Sequence, residues 1–134
     1  MTNVLPVIAA AIFGLLAVLH ALYTFRDWLG PRPRFFVPRD RDLTARLQAT
    51  TVALAPGGHS FWQSLLGFHF SHCLGIALLC AIILRADMTG DMVLQYVAAV
   101  AATLYGVLAW RFWFRIPLIG SAVAAILLWI ALLT

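Results

Sequence analysis

Apolar residues along this chain fall into four long runs that are separated by polar segments. The runs cover about residues 4–23, 61–84, 92–110 and 117–133. Each run is long enough to cross the ~30 Å hydrocarbon core of a bilayer as an α-helix. The pattern predicts an all-α membrane protein, a bundle of four transmembrane helices that forms a single membrane domain over residues 1–134. The first run lacks the basic segment and cleavage site of a signal peptide, so we expect it to stay in the mature protein.

The segment between the first two runs, residues 24–60, is the longest polar stretch. Its first half, residues 28–38, is too rich in proline for a helix, and we expect it to lie extended along the lipid headgroups. Its second half begins with Asp40 and places Leu43 and Leu47 four residues apart. This pattern predicts a short interfacial helix that ends before Pro56-Gly57-Gly58.

Composition supports the membrane assignment and excludes some kinds of catalysis. Hydrophobic residues make up 63% of the chain and charged residues 10%, whereas soluble domains carry about 25% charged residues. The basic residues are all arginine and the acidic ones all aspartate. The absence of lysine and glutamate excludes Schiff-base catalysis and a glutamate pair. Because the first run ends at Tyr23, no carboxylate lies inside a predicted span.

The positions of the arginines predict which partners the protein binds and how it is oriented in the membrane. The formal net charge is +4, but the charges lie in short loops between apolar runs, so anionic lipid headgroups are expected as partners and nucleic acid is not. Eight arginines fall in two connections: Arg26, Arg32, Arg34, Arg39, Arg41, Arg46, Arg111 and Arg115. The positive-inside bias therefore predicts that residues 24–60 and 111–116 are cytoplasmic and both termini outside, in a bacterial inner membrane.

Polar side chains inside the predicted spans are the candidates for function, because polar groups are costly in hydrocarbon. His69 and His72 are three residues apart and project from one flank of a helix. His20, Tyr105 and Ser121 lie at a similar depth in the other three spans. We expect a pocket on the cytoplasmic side that binds a hydrophobic ligand of lipid or quinone type. The predicted ligand-binding residues are His20, Trp62, His69, Ser71, His72, Tyr105 and Ser121.

Other interpretations of the same residues stay open at this stage. In an intramembrane enzyme, His69 and His72 would act as acid and base while Tyr105 orients the substrate. Haem b held by His20 with His69 or His72 is another hypothesis, and an open metal site on the three histidines is a third. The histidines can also form structural hydrogen bonds between helices. Four spans bury limited surface, so we expect a homo-oligomer or a larger membrane complex.

The second span carries Gly67-Phe68-His69-Phe70-Ser71-His72, with Trp62 before it and Gly75 after it. This segment resembles a group of small bacterial four-helix membrane proteins whose second span contains Gly-Phe-(His or Asn)-x-Ser-His and whose first span ends near a histidine. The resemblance implies a four-helix bundle and singles out His20, His69, Ser71 and His72. It implies no particular activity.

Overall fold

The computed structural model describes residues 3–54 and 56–134, and that part of the chain is helical without a β-strand. Five helices follow one another: α1 (Val4–Leu29), α2 (Arg41–Ala49), α3 (Phe61–Thr89), α4 (Met92–Phe112) and α5 (Arg115–Leu133). All except α2 are long and apolar enough to cross a membrane. The all-α prediction with four apolar helices is therefore confirmed, and the chain fits a multi-pass membrane protein.

Three of the long helices begin where the sequence predicts, but two of them run at least five residues further than predicted. Helix α1 continues six residues past Tyr23 to Leu29, and α3 continues to Thr89. The longer α1 therefore includes a carboxylate, that of Asp27, which is only 2% exposed. The helix closes with the Gly30 amide donating to the Arg26 carbonyl at 3.0 Å, and Pro31 stops it.

Helix α2 confirms the prediction of a short helix after the proline-rich stretch. Its N-cap is Asp40, whose side chain accepts hydrogen bonds from the amides of Asp42 and Leu43. None of its residues is buried. The amide of Phe61 donates to the carbonyl of Thr50 at 2.7 Å, and this bond brings the end of α2 back to the start of α3.

The chain divides into two compact units. The first comprises Met1–Ala17 and Gly75–Thr134. Its core combines the large side chains of Phe13 and Ile83 with fully buried alanines of α4 and α5. These small residues let the two helix backbones approach closely, as in many membrane helix pairs. The indole of Trp129 also donates a hydrogen bond to the Thr103 hydroxyl at 3.0 Å, joining α5 to α4.

The second unit, Val18–Leu74, carries the predicted histidines of α1 and α3. It contains the last part of α1, the proline-rich loop, α2 and the first part of α3. Its buried residues include two polar ones, Thr24 and Asp27, together with Trp62 and Leu66. A burial pattern that includes a carboxylate differs from the apolar core of the first unit.

Candidate functional site

Three histidines of the second unit come together. The Nε2 atom of His20 lies 2.9 Å from Nδ1 of His69, which is a hydrogen bond between the two imidazoles. The His72 ring lies beside them, with its centroid 5.2 Å from that of His20. The structure thus joins one residue of α1 to two residues of α3 that lie one turn apart. We call these three residues the histidine cluster.

The ring of Phe36, from the proline-rich loop, covers the histidine cluster. Its centroid lies 4.5 Å from that of His20 and 4.3 Å from that of His69, with interplanar angles of 30° and 27°. Aromatic pairs favour offset or tilted arrangements at such distances. The segment expected to lie extended along the headgroups therefore folds back instead and places an aromatic side chain on two of the imidazoles.

Asp27 holds this loop in place. Its Oδ1 accepts from the amide of Arg34 at 2.7 Å, its Oδ2 accepts from that of Phe36 at 2.7 Å, and the amide of Phe35 is 3.1 Å from each oxygen. A buried carboxylate needs such donors, because an unpaired charge inside a protein is costly. In the sequence Asp27 stands next to Trp28 in an aromatic stretch. In the structure its carboxylate binds the loop amides and so anchors the loop.

Two further contacts support the same arrangement. The Thr24 hydroxyl, which is fully buried, donates to the carbonyl of His20 at 2.8 Å. The ring of Tyr23 stacks on that of Phe35 at 4.5 Å. Sequence reasoning missed Thr24 and Asp27, although their spacing of four and seven residues from His20 places all three on one helical face. It missed Phe36 because nothing local to the loop shows where its ring lies.

The bonded imidazoles of His20 and His69 combine donor and acceptor capacity. A neutral imidazole has one N–H donor and one acceptor nitrogen, and the tautomer of each ring is set by its hydrogen bonds. If His20 donates from Nε2, the second nitrogen of His69 carries the proton and can donate. If His69 donates from Nδ1, its second nitrogen is an acceptor. The pair can therefore match a carbonyl or a hydroxyl.

The geometry of the histidine cluster also bears on the metal and haem interpretations. No group of three His, Cys, Asp or Glu side chains among residues 3–54 and 56–134 is arranged to hold a metal ion. Two nitrogens on opposite sides of one metal lie about 4 Å apart at ordinary metal–nitrogen distances. The separation of 2.9 Å between the His20 and His69 nitrogens is too short for a haem iron between them in this arrangement.

The other predicted ligand residues divide between the two units. Trp62 and Ser71 belong to the second unit with the histidine cluster. Trp62 is buried, whereas Ser71 is exposed and its hydroxyl donates to the carbonyl of Phe68 within α3 at 2.8 Å. The serine hydroxyl is thus engaged by its own helix, which agrees with the common behaviour of serine in membrane helices.

Tyr105 and Ser121 belong to the first unit. The Tyr105 ring lies 6.0 Å from that of Phe13, and its hydroxyl lies 2.9 Å from the place where a Cβ on Gly75 would sit. Ser121 is 4% exposed at the close approach of α5 to Gly106 of α4. Both residues pack within the first unit, where small neighbours make room for them.

A groove of about 360 Å³ opens in the second unit between the end of α1 and the start of α3. Phe25 and Trp28 of α1 face Phe70 of α3, with centroid distances of 4.8 Å and 5.7 Å to the Phe70 ring. Gln63 and Gly67 complete one wall. The groove is large enough for part of an acyl or isoprenoid chain, and we call it the aromatic groove.

No family model, curated protein or solved structure matches this chain. The resemblance carried by the Gly67–His72 motif therefore stays a prediction.

Proposed function

We propose that this multi-pass membrane protein binds a hydrophobic ligand with a polar head, of lipid or quinone type, through the histidine cluster. One observation carries the proposal: three imidazoles of two apolar helices meet, and two of them are hydrogen-bonded at 2.9 Å. Polar side chains in apolar spans are costly and typically mark a ligand or proton path. A single imidazole would suffice to hold two helices together by a hydrogen bond.

The chemistry of the second unit suits a quinone-like head with an apolar tail. The bonded imidazoles offer a donor or an acceptor to a carbonyl or hydroxyl oxygen. A flat conjugated ring can stack as the Phe36 ring does on His20 and His69. The aromatic groove of the same unit offers apolar surface for the tail.

A direct test measures binding of a benzoquinone that carries a ten-carbon tail. The purified protein in detergent is titrated with this quinone, and quenching of tryptophan fluorescence gives the affinity. We expect His69→Leu to weaken binding about tenfold, because one hydrogen bond in an apolar site is worth about 1.5 kcal/mol. Organic extracts of the purified protein are analysed by mass spectrometry for retained quinone or lipid.

His59→Leu is the matched control, since His59 is exposed in the loop before α3. It should bind the quinone as the wild type does. Circular dichroism and gel filtration establish that each variant is folded. The proposal is refuted if folded His69→Leu and His72→Leu proteins bind the quinone as tightly as the wild type, or if the wild type neither binds it nor retains any hydrophobic molecule.

An acid–base reaction on the bound ligand is the second candidate, and the hydrogen bond between His20 and His69 favours it. Neighbouring imidazoles can pass a proton at near-neutral pH. Under this alternative, incubation of the protein with its extracted ligand yields a product of different mass, and His69→Leu abolishes the conversion. An unchanged ligand in both proteins would leave binding as the function.

The placement of the arginines supports an orientation for this site. Six of them lie between Arg26 and Arg46, and Arg111 and Arg115 lie between α4 and α5. With the positive-inside bias, the second unit's loop would face the cytoplasm of a bacterial cell. A cysteine introduced by Ser60→Cys should then react with an impermeant maleimide only after the inner membrane is opened.

A further inference from the structure

A second site is suggested by a cleft of about 650 Å³ between the proline-rich loop and α2. Four arginines line it, one of which belongs to α2, and three other residues of α2 complete the lining. We call this the arginine cleft, and its polar residues are Arg32, Arg34, Arg39, Arg41, Thr44 and Gln48. We propose that the arginine cleft binds the phosphate headgroup of an anionic phospholipid.

The positive charge of the arginine cleft is not neutralised within the protein. All four arginine side chains are exposed, and none of them forms an ion pair in the part of the chain that the structure describes. The nearby carboxylates of Asp27 and Asp40 instead accept hydrogen bonds from backbone amides. Four guanidinium groups around one cavity therefore create a field that attracts an anion.

The donors also fit the shape of a phosphate group. Each guanidinium presents a planar fork of N–H donors that matches two phosphate oxygens, which a lysine ammonium cannot do. Gln48 adds an amide donor to the lining. Pro31, Pro33 and Pro38 restrict the backbone of the loop, and Asp27 fixes its middle, so little conformational entropy is lost when an anion binds.

The position of the arginine cleft identifies a lipid as the source of the phosphate. The lining begins at Pro31, two residues after α1 ends at Leu29. The last turns of α1 carry Tyr23 and Trp28, both exposed, and such rings are enriched at the depth of the lipid headgroups. Helix α2 buries none of its residues and follows directly, as expected of a helix at the membrane surface.

The test compares two lipids of equal chain length by native mass spectrometry. The detergent-solubilised protein is mixed with equal amounts of phosphatidylglycerol and phosphatidylcholine, and the ratio of bound anionic to zwitterionic lipid is measured. We expect the wild type to prefer phosphatidylglycerol. Replacing Arg32 and Arg39 with glutamine should lower this preference about 30-fold, since each arginine near anionic lipid contributes about 1 kcal/mol and 1.4 kcal/mol corresponds to a factor of ten.

The matched control replaces Arg111 and Arg115 with glutamine, which removes the same two charges outside the cleft. It should keep the wild-type preference. Arg34→Gln with Arg41→Gln is a second cleft variant if the first one does not fold, and circular dichroism checks each. A separate titration with inorganic phosphate asks whether the free ion competes; we expect no displacement of phosphatidylglycerol at millimolar phosphate.

Three results would overturn the proposal. A wild-type protein without preference for phosphatidylglycerol has no such site. An equal loss in the cleft and control variants means that diffuse charge attracts the lipid. Displacement of the lipid by millimolar phosphate means that the cleft binds the free ion. None of these results bears on quinone binding by the histidine cluster, because the two sites use different residues.

Discussion

The buried carboxylate of Asp27 offers the sharpest test of how the site is built. Replacing it by asparagine keeps the size of the side chain but removes its charge and one of its two acceptor oxygens. The amides of Arg34 and Phe36 each donate to a different oxygen at 2.7 Å. In Asp27→Asn one of these amides faces an NH₂ group, so at least one short hydrogen bond is lost.

The magnitude follows from the kind of bond that is lost. A hydrogen bond to a charged acceptor contributes about 1.5–3 kcal/mol. Loss of one such bond should lower the free energy that keeps the loop closed by about that amount. Amide exchange from the open loop should then accelerate by about 10- to 100-fold, since 1.4 kcal/mol corresponds to a factor of ten.

Hydrogen–deuterium exchange of the peptide that covers residues 30–38 measures this effect directly. The amides of Phe35 and Phe36 should exchange faster in Asp27→Asn than in the wild type. The quinone affinity is measured in parallel, because the loop carries the ring that covers His20 and His69.

Asp91→Asn is the control, since Asp91 is an exposed N-cap that accepts from the amides of Val93 and Leu94. Asparagine caps helices as well as aspartate does, so residues 92–95 should exchange as before. Unchanged exchange of residues 34–36 in a folded Asp27→Asn protein would show that the carboxylate does not hold the loop.

Two further predictions concern stability and are measured by thermal unfolding with a dye that reacts with the native cysteines. Gly30→Ala should destabilise the protein by more than about 1 kcal/mol, because a Cβ there would lie 2.5 Å from the backbone carbonyl oxygen of Arg26. The control is Gly14→Ala, which should be neutral or stabilising because a Cβ on Gly14 meets nothing within 4 Å. Equal effects of the two substitutions would contradict the steric argument. Ala102→Leu should destabilise the protein by about 1–3 kcal/mol through overpacking, because Ala102 is fully buried. The control, Val100→Leu on the exposed face of α4, should leave the stability unchanged. Equal melting temperatures of the two variants would show that α4 and α5 do not pack as described.

Most of the secondary structure could be predicted from the hydrophobic pattern. A bilayer requires continuous apolar helices, so the four runs had to be helices whatever their neighbours were. The starts of α1, α3 and α4 coincide with the change from polar to apolar residues, and Asp91 caps α4 as a local signal. These features depend on neighbouring residues in the chain, which the sequence displays directly.

The ends of the helices were harder to predict from the sequence. Helix α1 includes Asp27, which a hydropathy pattern assigns to a loop because a carboxylate is costly in an apolar segment. The structure removes that cost with amides of Arg34, Phe35 and Phe36. A polar residue can extend a helix when distant backbone donors satisfy it, and no local pattern reports such donors.

The candidate site could likewise be predicted only in part from the sequence. Periodicity placed His69 and His72 on one flank of α3, and depth placed His20 near them. Only the tertiary structure paired His20 with a residue 49 positions away and laid the ring of Phe36 over the cluster. The sequence by itself determined which segments are helical and apolar, since those properties follow from local chemistry and the demands of the bilayer. The tertiary structure decided which polar groups meet, because contacts between distant residues depend on how helices and loops pack together.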